Sequence, residues 1–218
     1  RDMQAPSEYE PLLKTFFTVS YVVLAAFVGA FADSMPKWRV MFISNAIKIV
    51  GCAMMYWQVH PLLAYAMVGL GAAAYSPAKY GILTEYLPHR LLVVANGWIE
   101  GLTVGAIILG VVIGGLLIRP DIAEALLSLD FPLLNAGVDT VGEMAICFVA
   151  AFYVLASLFN LYIPDTGVDH RVLHKNPLYL LREFNHCLLL LWRDRLGQIS
   201  LAVTTLFWGA GATLQFIV

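Results

Sequence analysis

Apolar residues run in blocks of about 20 along the chain, long enough for a helix to cross ~30 Å of hydrocarbon at 1.5 Å per residue. The blocks fall at residues 12–32, 39–57, 61–84, 92–118 and 141–163, and a sixth opens near 199 and runs to 218. A segment of this length in lipid has to satisfy its own backbone, which selects helices, and the alternating pattern of barrel strands is absent. Aromatic residues sit near several block ends: Trp38, Trp57, Tyr86, Tyr162 and Trp192. The pattern therefore predicts an all-α integral membrane protein. It has a transmembrane bundle over 1–163, a connector over 164–198 and the first helix of a second bundle at 199–218. The chain starts at Arg1 and its last apolar block reaches Val218, so it reads as an internal piece of a longer protein. Residues 1–11 are polar and acidic, unlike the basic start of a signal peptide.

Composition agrees with lipid as the solvent. Hydrophobic residues make up 60% of the chain and charged residues only 13%, about half the charged share of an ordinary soluble domain. A formal net charge of −2 and the lack of any basic run give no sign of a nucleic-acid partner. Cys52, Cys147 and Cys187 are widely spaced. Neither a disulfide framework nor a metal site is expected from them.

Cationic residues set the expected orientation. Loops 33–39, 85–91 and 164–198 share one side and carry Lys37, Arg39, Arg90, Arg171, Lys175, Arg182, Arg193 and Arg195. The opposite loops, 58–60 and 119–140, carry only Arg119, beside Asp121, Glu124, Asp130 and Asp139. The excess of lysine and arginine puts the first set in the cytoplasm. Within the connector, Leu178, Leu181, Phe184, Leu188 and Leu191 share one helical face, with Arg182 and Glu183 off it. Such a helix lies on the membrane surface or packs on protein; the pattern allows both.

Two groups of polar residues stand out against this background. In "GAFADSMPKWR", Gly29 and Asp33 are spaced i, i+4 at the cytoplasmic end of the first span, with Lys37 and Arg39 across a proline-containing turn. A small residue there lets another helix approach, and the carboxylate can pair with the arginine or meet a helix N-terminus. That makes a candidate gating latch, or else a capped turn with solvated charges. The second group lies inside the spans. Lys48 sits near the middle of its block with Asn45 one turn earlier on the same face. Lys79 lies ~10 Å inside the cytoplasmic boundary and Glu100 ~12 Å inside it on the next, antiparallel helix, counting 1.5 Å per residue. An ionised group at such depth costs about 3 kcal/mol on insertion scales. Pairing the two ions, or opening both to a wet cavity, offsets that cost; for the lysines, snorkelling to the headgroups is the alternative. Pro77 removes a backbone hydrogen bond near Lys79, so a bend is expected there, with the Ser76 hydroxyl able to satisfy a freed carbonyl. Glycines at helical spacing, Gly101, Gly105, Gly110, Gly114 and Gly115, read as close-packing surfaces.

Enzyme signatures are weak. "NHCLLLLWRD" has the wrong histidine-to-aspartate spacing for a glycerolipid acyltransferase. His170 and His174 in "HRVLH" lack the glutamate of a zinc protease. No catalytic residue, metal or cofactor is assigned.

"GAFADSMPKWR" resembles the cytoplasmic loop signature of the major facilitator superfamily, Gly-x-x-x-Asp-x-x-Gly-x-x-Arg, with Pro36 in place of the second glycine and Ser34 in place of a usual cation. With "VGLGAAAYSPAKYGIL", "ANGWIEG", "NLYIP" and "SLAVTTLFWGAGATLQF" in this order, nearly the whole chain resembles the lysophospholipid transporter family of Gram-negative inner membranes. The resemblance implies a twelve-helix transporter of two six-helix halves, of which this chain would hold helices two to six, the linker and most of helix seven. It implies movement of lysophosphatidylethanolamine and lysophosphatidylglycerol from the outer to the inner leaflet, for reacylation by a cytoplasmic acyltransferase or acyl-carrier-protein synthetase. By matching blocks, Lys79 and Glu100 correspond to the family's lysine and glutamate of helices four and five. Lys48 and Asn45 correspond to polar positions of helix three, and Asp33 and Arg39 to the gating loop. The resemblance thus implies a substrate pathway lined by Lys79, Glu100, Lys48, Asn45 and Gln215. Gln215 stands where a member of the family has arginine, so an anion-recognising arginine is absent there and Lys79, Lys48 or a residue beyond this chain would supply the charge for a headgroup phosphate. Two other readings remain at this stage: an exporter of drugs or small solutes on the same fold, and the membrane part of a fused acyltransferase or synthetase.

Overall fold

The computed structural model describes residues 9–117, 119–127, 140–174 and 176–217. Asp130, Asp139 and Lys175, which enter the orientation count, lie outside them. The described residues are helical in eight segments: α1 (Tyr9–Asp33), α2 (Lys37–Tyr56), α3 (Pro61–Tyr86), α4 (His89–Leu117), α5 (Pro120–Leu127), α6 (Val141–Asn160), α7 (Pro177–Arg193) and α8 (Arg195–Ile217). Four of them, over Leu12–Asp33, Lys37–Tyr56, His89–Leu117 and Val141–Asn160, are long and apolar enough to cross a membrane. Helix α3 is as long but is not among them; glycines, tyrosines, Ser76, Pro77 and Lys79 interrupt its apolar run. The chain is an integral membrane protein of the all-α class.

Helix ends follow local chemistry. Thr140 opens α6 with a capping box: its hydroxyl accepts from the Glu143 N–H at 3.2 Å, and the Glu143 carboxylate accepts from the Thr140 N–H at 3.1 Å. Asn176 caps α7, accepting from the Leu178 N–H at 3.0 Å, with Pro177 in the first turn. Helix α2 follows Pro36 directly and has no side-chain cap. It begins with a lysine, a charge that the positive helix N-terminus disfavours unless an anion sits beside it.

The chain forms two compact units, residues 1–173 and 174–218. In the first, α3 packs along both α1 and α2, and α2 packs along α6. Small residues set the closest crossings. A Cβ on Gly71 would stand 2.6 Å from the Ser44 carbonyl oxygen and 2.7 Å from Lys48 Cγ, and one on Gly69 would stand 2.7 Å from the Phe17 carbonyl oxygen. Both places require glycine, because backbone of the neighbouring helix occupies the space a side chain would need. Ser20 adds a hydrogen bond across the α1–α3 seam, donating to the Ala66 carbonyl at 3.1 Å. A core of Ala32, Val40, Met41 and Ala78, flanked by Phe31, Met35, Tyr75, Ile82 and Ile163, closes the end of the bundle that carries the α1–α2 turn.

Helix α4 differs from its neighbours. None of its residues is buried, and an added Cβ on Gly101, Gly105, Gly110, Gly114 or Gly115 would meet no described atom within 4 Å. The close packing expected of these glycines is therefore not made with any described helix; within this unit the close glycine contacts lie on α2 and α3 instead.

In the second unit, α7 buries Leu180 alone. Leu178, Leu181, Phe184, Leu188 and Leu191 are exposed along one face.

Candidate functional site

Three polar clusters lie within the first unit. One sits at the α3–α4 seam. Lys79, one residue upstream of Tyr80 on α3, donates from Nζ to Thr103 Oγ1 of α4 at 2.9 Å. Thr103 passes its own proton to the Ile99 carbonyl at 2.7 Å, so its oxygen faces the ammonium as an acceptor. Tyr80 donates its hydroxyl to Glu100 Oε1 of α4 at 2.6 Å, the short distance of a hydrogen bond to a carboxylate. The Lys79 ammonium lies 4.8 Å from the centre of the Tyr80 ring. Among the described residues, Glu100 Oε2 is buried and has no hydrogen-bond partner.

This corrects the simplest expectation for the two ions. Lys79 and Glu100 do occupy one seam at matching levels, yet they form no ion pair with each other. A neutral hydroxyl takes each of them. Lys79 has three N–H donors and one acceptor among the described residues, and Glu100 has one oxygen engaged of two.

The helix carrying Lys79 runs without a break through Pro77. Pro77 lacks the N–H that would reach the Ala73 carbonyl. The Ser76 hydroxyl does not serve that carbonyl: it donates to Ala72, one residue earlier, at 3.1 Å.

A second cluster holds Lys48 at the α2–α3–α6 seam. Its Nζ donates to Asn45 Oδ1 at 3.2 Å. Tyr75 and Tyr153 cover it, with ring centres 4.3 and 5.3 Å away. Lys48 is only 8% exposed. An ammonium between aromatic faces in a dry interior gains roughly 2 kcal/mol from their quadrupoles. This geometry joins three helices and leaves the lysine enclosed.

The third cluster is the turn between α1 and α2. Lys37, 6% exposed, places Nζ 2.7 Å from Asp33 Oδ1, 2.8 Å from the Ala32 carbonyl and 3.4 Å from Glu85 Oε1 at the end of α3. Glu85 in turn accepts from the Thr166 hydroxyl at 2.8 Å, the Tyr86 hydroxyl donates to the Pro164 carbonyl at 2.9 Å, and the Arg171 N–H donates to the Asp33 carbonyl at 3.0 Å. The ion network at this turn is thus built on Lys37. Arg39, the cation expected opposite Asp33, is exposed and lies over its neighbour Trp38, 5.1 Å from the ring centre. An added Cβ on Gly29 would meet nothing within 4 Å, so no described helix uses it for close approach. Gln215 lies on α8, and its side chain is outside those described.

Sequence reasoning missed Glu85, Tyr80, Thr103, Tyr75 and Tyr153. Glu85 had a usable signal: an acid at the end of a span on the same side as Asp33 and Lys37. The hydroxyl and aromatic residues carry no such mark, because in a helix of this composition they read as interface or packing residues.

The fold and these buried charges together define a helical membrane protein with ionisable groups held inside its bundle. Over 212 residues, 97% of its length, the chain is 40% identical to proteins named Lysophospholipid transporter LplT from Serratia proteamaculans (strain 568) and Yersinia enterocolitica serotype O:8, covering 48% of each. A protein of the same name from Yersinia pestis (strain Pestoides F) is 40% identical over the same length. The chain is a homologue of these transporters and spans about half the length of these curated relatives, 47–48%. No family model matches it, and no solved structure does.

Proposed function

We propose that the full-length protein carrying this chain is a secondary transporter of the major facilitator type that moves lysophospholipids across the bacterial inner membrane. Lysophosphatidylethanolamine and lysophosphatidylglycerol pass from the outer to the inner leaflet, where a cytoplasmic acyltransferase or acyl-carrier-protein synthetase reacylates them. The observation that carries this reading is the α3–α4 seam, where, among the described residues, an ammonium with uncommitted donors and a carboxylate with an uncommitted oxygen lie side by side without neutralising each other. A zwitterionic headgroup has the complementary pair of charges. Lys79 meets its phosphate and Glu100 its ammonium, while the single acyl chain stays in hydrocarbon. The names of the relatives support the same cargo.

The remaining clusters have supporting roles. Lys48, with Asn45, is an interior ion of the same half and keeps α2, α3 and α6 in register. The Asp33–Lys37–Glu85 network closes the cytoplasmic end in one state and releases it in another; two such states need differ by only a few kcal/mol. Helix α7 lies on the cytoplasmic membrane surface, with its exposed leucines in the acyl boundary and Arg182 and Arg193 toward headgroups.

The test is uptake of labelled lysophosphatidylethanolamine by spheroplasts expressing the full-length protein, with unlabelled lysolipids and water-soluble drugs as competitors. Uptake above the empty-vector level, suppressed by lysolipids and not by the drugs, is expected. Suppression by drugs alone would assign the protein to small-solute export.

A further inference from the structure

Lys79 and Glu100 lie on facing helices in a medium where opposite charges attract far more strongly than in water, so what keeps them from closing on each other requires a cause. Tyr80 touches both. Its hydroxyl binds Glu100 Oε1 at 2.6 Å, and its ring lies 4.8 Å below the Lys79 ammonium. Thr103 draws Lys79 from the other side at 2.9 Å. We infer that Tyr80 is a positioning residue that holds the Lys79 ammonium and the Glu100 carboxylate apart, leaving Glu100 Oε2 as the acceptor of a headgroup's donor and Lys79 as the donor to its phosphate. This rests on the lysolipid reading above and adds to it the element that keeps the charge pair open.

The physical consequence concerns what happens without the hydroxyl. In Tyr80→Phe the carboxylate loses its one donor, and both of its oxygens are then unsatisfied in a buried place, which is costly. The Lys79 ammonium has donors to spare and takes them. The site neutralises itself, and a headgroup then has to break an internal ion pair before it binds.

Three variants of the full-length protein test this: Tyr80→Phe, Glu100→Gln and the double Tyr80→Phe/Glu100→Gln. Uptake of lysophosphatidylethanolamine and lysophosphatidylglycerol is measured for each, together with membrane insertion and thermal stability in detergent. Tyr80→Phe should lower uptake of both lipids roughly tenfold or more, mainly through KM, with insertion retained; truncating one partner of a buried charge-bearing hydrogen bond has effects of this order. The double variant removes the carboxylate that captures Lys79. It should regain lysophosphatidylglycerol uptake to within about threefold of wild type, while lysophosphatidylethanolamine uptake stays low for want of Glu100. A purely structural tyrosine gives no such headgroup-selective rescue. Unimpaired uptake by Tyr80→Phe, or equal impairment of both lipids in the double variant, would overturn the role of Tyr80 alone. Failure of the wild-type protein to take up either lipid would overturn the transport reading and this inference with it.

Discussion

Lys79→Glu is expected to abolish lysophospholipid uptake, by roughly 100-fold or more, while the protein still inserts in the membrane. The variant removes the cation proposed to meet the lipid phosphate, a loss of about 2–5 kcal/mol for a desolvated charge pair, and reversal adds repulsion of the phosphate. It would also place two carboxylates at one level of the α3–α4 seam, since Glu100 is already held there by Tyr80. Insertion should survive, because the side chain replaces one ion by another of similar depth. Spheroplast uptake of the labelled lipid, normalised to the amount of protein in the membrane, is the measurement. Wild-type uptake by the variant would remove Lys79 from the pathway.

The second large effect concerns stability. Lys37→Met takes away the cation that Asp33 and Glu85 share, and leaves two carboxylates facing each other. Lys37 is nearly buried, and Glu85 is 14% exposed, whereas Asp33 is 54% exposed. Much of the loss therefore comes from Glu85, and Asp33 is partly screened by solvent. A destabilisation of about 3 kcal/mol is expected, at the low end of the range for stripping a partner from a buried ion pair. Thermal melting in detergent should show a lowered Tm. Adding Glu85→Gln to Lys37→Met should restore part of the loss, because the uncompensated charge is then gone. A Tm unchanged in Lys37→Met would show that the network carries no net stability.

The connector after α6 belongs in the same physical account. Thr166, Pro164 and Arg171 bind Glu85, Tyr86 and Asp33, in that order, and Ile163 packs on the core beneath them. The segment 164–171, read from sequence as the start of a polar connector, is therefore tied down by hydrogen bonds to the ends of α1 and α3. Gly167 adopts a positive φ of 68°, where a side chain would be strained, with its N–H bonded to Asp165 Oδ1. A turn that tight lets the chain double back to the end of α1.

How far the sequence disclosed this arrangement differs from cluster to cluster. Membrane helices were legible because a 3.6-residue period at 1.5 Å rise turns apolar block length directly into depth. The same arithmetic brought Lys79 and Glu100 to one level, and they do share a seam. Their partners were not legible, since Tyr80 and Thr103 are common in such helices and only a three-dimensional contact marks them out. The α1–α2 turn shows the opposite weakness. A motif pointed to Arg39, but geometry favours Lys37, which sits i, i+4 from Asp33 and turns inward at the start of α2. Arg39, two residues on, points to the exposed side of the same helix and lies over Trp38. Lys48 had a visible polar neighbour in Asn45, whereas Tyr75 and Tyr153 come from two other helices and could not be paired with it by spacing alone.

Equilibrium binding of lysophosphatidylethanolamine and lysophosphatidylglycerol to purified wild type, Lys79→Ala and Glu100→Gln bears most directly on the charge pair as a headgroup site. Lys79→Ala should weaken both lipids by about tenfold or more, and Glu100→Gln should weaken the ethanolamine lipid alone by a similar factor. Equal affinities for each lipid in all three proteins would contradict the account.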